Sequence, residues 1–508
     1  MKDILTRIVE QRVQDIKKSG VTFGFEIPLE RKRKVHSFLK AKGVILEVKR
    51  ASPSKGNIAP DLNSFETAQS YCKSGAGAIS CLTETNYFKG TLQDLMNVCS
   101  AVDEYERTSG VTGPAVLRKD FLVSEEEVDV AYRAGADAVL LISRILTKEK
   151  MASMAERAAS YGMTSLIEIR LDEDIEKLKF VCERVDRNFI ACGVNSRDLS
   201  DFKIDLLTPC RMLEKIRSVL GSEARVIFES GIRTPESAAF VGSMGFGGLL
   251  LGEAAAKNPS IRKSLVDSFV NSKGTAHALF WNKFASDFSG LHKNKKCLVK
   301  ICGLTDKEDV KKAVELGADF LGFIFYDKSP RHINADCAEK IITAAGKNKK
   351  LFKIGVIVDP EHTEAENAIE LCRRGVLDAL QLHTAECARK FLRDDSLKSL
   401  PHYAAVNISD ESDVSVLDEL FDLGEPRVLV DACTAEKKGG TGKQISCELV
   451  RLVQKKYPLW IAGGITPENV DSIIKDYSPE LADCASGVES EPGKKDFSRL
   501  ELFFNNVK

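Results

Sequence analysis

The sequence predicts an α/β protein built from two consecutive (β/α)8 barrels, and three observations carry that expectation. At 508 residues the chain is too long for one ordinary core. Short apolar runs recur about every 20–40 residues with helical patterns between them, the spacing that βα units produce. These runs fall into two sets of eight and are apolar on consecutive positions, as in parallel strands covered on both faces. A count of eight favours a closed barrel over an open doubly wound sheet.

Taken in order, the N-terminal MKDILTRIVEQRV alternates charged and apolar residues at helical spacing. It is expected to form a helical extension packed over the first barrel. The first set of strands is expected at 44–48, 78–82, 115–117, 138–142, 165–169, 189–194, 225–228 and 248–251. Residues 259–296 follow as a helical segment and the linker-like GLHKNKK, with a boundary near Lys296. The second set is expected at 298–301, 320–325, 352–358, 379–382, 403–407, 428–430, 459–462 and 482–485. Domains of 1–258 and 297–508, each with a complete barrel, are expected to fold separately.

The charges nearly cancel, 73 basic against 74 acidic, so no global field points to nucleic acid or an anionic membrane. The local runs Arg31-Lys32-Arg33-Lys34 and Lys293-Asn294-Lys295-Lys296 read as solvated faces or linkers. Fourteen cysteines are scattered without a CxxC pair or a metal-like His/Cys cluster, which suggests reduced thiols in a cytoplasmic protein. No run approaches the roughly 20 apolar residues of a spanning helix, and the N-terminus lacks a secretory h-region. The expectation is a soluble protein that needs neither metal nor cofactor, since no ligand cluster is offered.

Chemistry is concentrated where strands end. In EVKRASPSKG, strand alternation puts Glu47 and Lys49 on one side and Val48 on the other. Unpaired charges in a barrel lumen are costly, so such residues mark a wet, functional mouth. The pattern recurs at Lys119 in VLRKDF, Glu168 in LIEIR, Asn195 and Arg197 in GVNSRD, and Glu229 in FESG. A structural ion pair explains any one of them, but not the recurrence over several strands. The turns at Ser230-Gly231 and Gly252 can offer backbone N–H groups to a phosphate, although glycines there are also ordinary turn formers.

In the second barrel, KICGLT ends a strand on Cys302 and VLVD ends another on Asp431, a possible base and acid on opposite sides of a substrate. A thiol base needs a nearby cation or dipole to reach the thiolate. The stretches Gly439-Gly440-Thr441-Gly442-Lys443, Ala462-Gly463-Gly464-Ile465 and Ser486-Gly487-Val488-Glu489 suit a phosphate, and Arg331 in SPR suits a carboxylate. His383 in QLH could polarise a substrate or simply be a packed structural histidine. Seven histidines are too sparse near nucleophiles for a Ser-His-Asp triad.

EVKRASPSKG, LTETNYFKG, LRKDF, IEI, NSRDL and FESGI, in that order over residues 1 to about 258, resemble the indole-3-glycerol-phosphate synthase family. The resemblance implies ring closure of 1-(2-carboxyphenylamino)-1-deoxyribulose 5-phosphate with loss of CO2 and water. It makes Lys119 the general acid at the carbonyl and Glu168 the group that exchanges the later proton for dehydration. It has Glu47 and Lys49 orient the substrate, Ser52, Asn195 and Arg197 hold it, Glu229 and Ser230 support its hydroxyls, and Phe88 pack on its ring. Gly231 and Gly252 fall at the phosphate. Glu253, where many members have serine, departs from the pattern and leaves only backbone to bind there.

KICGLT, KSPR, QLH, LVDA, GGTGK, AGGITPENV and SGVESEPGKKD resemble phosphoribosylanthranilate isomerase over about 297–508. That resemblance implies that Asp431 protonates the furanose oxygen and Cys302 removes the C2 proton in an Amadori rearrangement. Arg331 would hold the anthranilate carboxylate, and Gly463, Gly464, Ser486 and Gly487 the phosphate. Two positions depart from the family pattern: Thr384 follows QLH where glycine is usual, and Asp483-Cys484-Ala485 stands where the family has Asp-Val followed by Asn or Ser, which removes one polar side chain without touching the acid-base pair. Together the two TIM barrels resemble the fused enzyme of tryptophan biosynthesis. The competing readings are a ribosyl isomerase of histidine biosynthesis, which is associated with paired aspartates, and a non-catalytic barrel, which would have lost its mouth residues.

Overall fold

Each set of eight runs closes on itself. In the computed structural model, which describes residues 4–53, 55–198, 203–288, 296–344, 351–432 and 447–507, the chain divides into units Met1–Gly274 and Thr275–Lys508. The stretch Gly439 to Lys443 lies outside the described residues, as does GLHKNKK apart from Lys296.

The first unit holds β1 (Gly43–Val48), β2 (Ala78–Leu82), β3 (Ala115–Lys119), β4 (Ala138–Ile142), β5 (Thr164–Ile169), β6 (Ile190–Asn195), β7 (Val226–Glu229) and β8 (Gly248–Leu251). Each strand pairs in parallel with the next, and β8 returns to β1 with Gly248 opposite Gly43. All six residues of β1 are buried, because one face fills the barrel and the other meets the helices. Side-chain caps start the helices cleanly: Thr91, Thr147 and Thr234 accept from the backbone N–H groups of Asp94, Lys150 and Ser237. Each such cap is worth about 1 kcal/mol.

At the N-terminal end of this barrel Leu39 fills the lumen. A Cβ on Gly43, Gly77 or Gly248 would sit 3.0–3.1 Å from its methyl groups, so glycine leaves the room that the leucine occupies. Helix Ile4–Ser19 buries Leu5, Ile8 and Arg12, as the N-terminal periodicity predicts. Arg12 donates to Asp120 at 2.9 Å and to Glu127 at 2.6 Å, joining the extension to the residue that follows Lys119.

The run Arg31-Lys32-Arg33-Lys34 corrects the solvated-face reading. Lys32 and Lys34 are exposed, but Arg31 and Arg33 donate to the two oxygens of buried Asp137 at 2.6 and 3.0 Å and to the carbonyls of Ala136 and Gly135. His36 completes the cluster, its Nε2 lying 2.9 Å from Glu106. An isolated carboxylate could not stay charged at this depth; two guanidiniums with fixed hydrogen bonds allow it.

The second unit holds β9 (Leu298–Ile301), β10 (Phe320–Ile324), β11 (Phe352–Ile357), β12 (Ala379–His383), β13 (His402–Ile408), β14 (Val428–Ala432), β15 (Trp460–Ala462) and β16 (Leu481–Cys484), closed by pairing of β9 with β16. The segment 259–296 serves both units. Helix Arg262–Asn271 packs on helix Pro235–Ser243 in the first, where Lys42 Nζ donates to the carbonyls of Gly242 and Ser272.

Helix Ala276–Phe288 belongs to the second unit. Its Trp281, Phe284 and Phe288 meet Phe320, Phe352 and Trp460, the first residues of β10, β11 and β15, with ring centroids 5.5–6.3 Å apart. This aromatic helix therefore plugs the N-terminal end of the second barrel. His277 on the same helix stacks on His402 at 3.9 Å, and His402 Nε2 lies 2.6 Å from Glu425. Candidate ligand atoms of the three residues lie within 4.8 Å of one another. Near-parallel stacking sets the imidazole lone pairs side by side instead of converging, so the trio braces the plug and is poorly shaped for one ion. No helix among the described residues is long and apolar enough to cross a membrane.

Candidate active sites

At the C-terminal end of the first barrel, Glu47, Lys49, Ser52, Phe88, Lys119, Glu168, Asn195, Arg197, Glu229, Ser230, Gly231 and Gly252 all line one cavity of about 250 Å³. Every residue picked for this mouth from strand ends and motifs reaches it. Sequence reasoning did not pick out Ile4, Leu5 and Ile8 of the N-terminal helix, or Lys55 and Arg233, which also line the cavity. An amphipathic pattern shows that a helix has an apolar face, but not which opening that face covers.

The floor of the cavity is a charge network. Lys49 Nζ lies 2.5 Å from Glu47, and Lys119 donates to Glu229 at 3.1 Å. Burial pulls the Lys119 ammonium down, but Glu229, Glu47 and Glu168 outweigh it and hold the lysine charged above its ordinary range. Burial pushes Glu47 up, and Lys49 with Lys119 reverses this, keeping it a carboxylate. Glu168 behaves differently. Burial and then the charge of Glu229 raise it to about 7, with Lys119 and Arg170 only partly opposing. Lys119 is thus a firm cation and Glu47 a firm anion, beside one carboxyl, Glu168, that exchanges its proton near neutrality.

Backbone geometry supports these positions. Ser230 and Gly231 have φ of 72° and 84°, and the left-handed conformation at a serine is strain of the kind stored at functional sites. Ser196 donates to the Ser230 carbonyl at 3.0 Å and braces the turn. Glu84 accepts from the N–H groups of Asn86, Tyr87 and Phe88, which folds that loop back and sets Phe88 at the cavity, 5.9 Å from Phe121. Glu253 is drawn to Lys257 at 2.7 Å and its carboxyl is held below the usual range: burial opposes this, and the bond from Lys257 and the charge of Lys55 prevail.

In the second barrel Cys302 follows β9 and Asp431 lies in β14, in register with Asn407 and Ala462. The shorter way round the barrel between them passes β15 and β16. A Cβ on Gly322 would fall 2.6 Å from Cys302 Sγ, so the glycine leaves the thiol its space. Below it, fully buried Lys300 donates to Asp483 at 2.5 Å and to Gln381 at 2.7 Å, and Tyr403 donates to the same Gln381 oxygen at 2.9 Å. Burial pushes the Cys302 thiol up and Lys300 pulls it back most strongly, followed by Lys495 after the opposing Asp483. Cations of the kind a thiol base requires are at hand, but burial outweighs them and keeps the thiol above its ordinary value. His383 is lowered to about 4 by burial and by Lys300, leaving a neutral imidazole.

Arg331 Nε and Nη2 grip Glu489 at 2.8–3.0 Å, a partner that the sequence did not reveal. The loops Gly463-Gly464 and Ser486-Gly487 pack together, since a Cβ on Gly487 would fall 2.0 Å from the Ile465 carbonyl oxygen. Thr384 takes a φ of 125°, which explains glycine as the usual residue; here its hydroxyl caps the next helix by accepting from Cys387 N–H at 3.1 Å. Cys484 donates to the Ile465 carbonyl at 3.1 Å, and burial pushes its thiol up to about 12, so it is inert.

Two closed parallel barrels, each with titratable side chains gathered at its C-terminal mouth, define a fused pair of TIM-barrel enzymes. The family model for indole-3-glycerol phosphate synthase matches residues 5–267, and that for N-(5'-phosphoribosyl)anthranilate (PRA) isomerase matches 299–506. The chain is 31% identical over 465 residues to the tryptophan biosynthesis protein TrpCF of Haemophilus influenzae, covering 91% of this chain and 86% of that protein. It is 30% identical to the multifunctional tryptophan biosynthesis protein of Schizosaccharomyces pombe over 92% of this chain, and spans only 59% of that longer protein. A crystal structure of phosphoribosyl anthranilate isomerase from Thermotoga maritima is 33% identical, covers 42% of this chain and 98% of its own, and has a TM-score of 0.36.

The chain belongs to both families. Its first barrel is an indole-3-glycerol phosphate synthase, a carboxy-lyase, and its second is a PRA isomerase; both serve tryptophan biosynthesis.

Proposed function

We propose that the mouth residues divide the two reactions as follows. In the second barrel Asp431 protonates the furanose oxygen of phosphoribosylanthranilate, which opens the ring to a Schiff base. Cys302 then removes the C2 proton, and the resulting enolamine becomes the ketone product. Arg331 takes the anthranilate carboxylate, and Gly463, Gly464, Ser486 and Gly487 take the phosphate. His383, neutral at pH 7, can offer a hydrogen bond without adding charge.

In the first barrel the ring carbon bearing the carboxylate attacks the ketone carbon while Lys119 protonates the ketone oxygen. Loss of CO2 restores the aromatic ring, and Glu168 moves the proton that lets water leave. Glu47 and Lys49 orient the reacting ends, and Ser52, Asn195 and Arg197 hold the substrate. Phe88 lies against the anthranilate ring. Glu229 Oε1, a buried acceptor without a hydrogen-bond partner, suits a substrate hydroxyl, together with Ser230. Gly231 and Gly252 meet the phosphate through backbone. The single observation that carries this reading is the contrast between Lys119, held firmly charged, and Glu168, poised near neutrality, in one cavity.

We infer further that the protein works as a cytoplasmic monomer on small phosphorylated molecules, with no nucleic-acid partner and no metal or cofactor. The test is selective inactivation. Cys302→Ala or Asp431→Asn should block the ribulose intermediate by roughly 10²–10⁴ fold yet leave supplied intermediate converted normally. Lys119→Ala should spare isomerisation and make the intermediate accumulate. If none of the three changes affects either step, these mouth residues are structural.

A further inference from the structure

Lys495, in the GKKD stretch near the end of the second barrel, is fully buried at its side chain. An ammonium has three donors, and this one uses all of them: on the Cys302 carbonyl at 2.7 Å, the Ala485 carbonyl at 3.1 Å and Glu489 Oε1 at 2.8 Å. Its own backbone N–H is fixed by Asp309 at 2.9 Å. Glu489 in turn orients Arg331, receiving both Nε and Nη2.

One side chain thus ties the strand end that carries the thiol, the loop that leads into Ser486-Gly487 and, through Glu489, the arginine. Because Lys495 cannot reach solvent, it cannot be a substrate ligand unless the site is rebuilt.

We propose that Lys495 is a positioning residue of the isomerase site, which with Glu489 sets the base, the phosphate loop and the carboxylate-binding arginine in one register. The proposal rests on the roles given above to Cys302 and Arg331. Its cation also helps Lys300 to offset the burial that holds the thiol protonated. Neutralising Glu489 alone would explain a salt bridge, but not the two bonds to carbonyls on separate strand ends.

The experiment uses the full chain, with the synthase step as internal control. Lys495→Met should raise the isomerase KM for phosphoribosylanthranilate and lower kcat, each by about tenfold or more, since shifts of ~1 Å in positioned groups have effects of that size. It should also move the pH midpoint for iodoacetamide alkylation of Cys302, read by mass spectrometry of its peptide, to higher pH. Glu489→Gln, a neutral isostere that keeps the fold if the methionine variant does not, should raise KM through Arg331.

Unchanged KM, kcat and alkylation midpoint in a folded Lys495→Met protein overturn the proposal, even if its Tm falls, because that pattern is a structural role. An unchanged KM in Glu489→Gln overturns the link to Arg331. Failure of the underlying reading appears separately, as isomerisation that survives Cys302→Ala.

Discussion

Gly193→Ala gives a sharp test of how the synthase site is held. Gly193 lies in β6, and a Cβ there would stand 2.1 Å from Glu229 Oε1. Ordinary non-bonded contact needs about 3.5 Å, so the carboxylate must retreat by more than an ångström. Glu229 is only 2% exposed and cannot swing into solvent, so the retreat is taken from its 3.1 Å bond with Lys119. Misplacing a catalytic group by ~1 Å can cost about 10²-fold in rate, roughly 2.7 kcal/mol of barrier. Losing a charge-assisted hydrogen bond, ~1.5–3 kcal/mol, gives the same scale. The assay follows indole glycerol phosphate from supplied ribulose intermediate, and isomerisation in the same chain reports on folding. The synthase kcat should fall about 10²-fold with isomerisation untouched. A synthase rate within about twofold of the parent, or an equal fall in both steps, would refute the reasoning.

Glu168, at about 7, should give the synthase step a pH limb centred near neutrality that Glu168→Gln flattens, with kcat down by ~10²–10⁴; a limb that survives the substitution sinks the assignment. A fragment 275–508 should be soluble and cooperative, whereas 297–508, stripped of Trp281, Phe284 and Phe288, should aggregate or melt far lower, since removing one such aromatic costs about 3–5 kcal/mol; equal Tm values would count against the plug. His36 is raised by its bond to Asp137, against burial and with help from Glu106. Its stabilising contribution is therefore full below the ordinary imidazole value of about 6.5 and is lost as pH rises through the higher folded-state value. Urea titrations across that window should show the loss in the parent and not in His36→Gln.

The strands were legible because a barrel strand is apolar on both faces, a signal that needs no partner to be read. The reading of 115–117 stopped short of β3, which runs on to Lys119, because Arg118 breaks the apolar run; in the structure it is fully buried and pairs with Asp120. Charges on strand ends were read correctly as gathering at one mouth, since alternation and parallel order decide where they point. What stayed hidden depends on residues far apart in the chain. Arg31 meets Asp137 across 106 positions and Lys495 meets Cys302 across 193, so a buried cation and a solvated one look the same in the sequence. The same holds for helix Ala276–Phe288, which was expected only as part of a helical segment and whose place against the second barrel depends on rings far along the chain.

The order of synthesis gives that helix an awkward interval. Trp281 leaves the ribosome some 180 residues before Trp460, the ring it packs against, a gap of roughly 10–35 s at ~5–20 residues per second. For that time the helix can meet only part of its cover, the early strands that begin at Phe320 and Phe352, while the first barrel, complete by Gly274, is already free to fold. Newborn chains caught in this window should be the ones that holding chaperones retain, and slowing translation after position 288 should lengthen the stay.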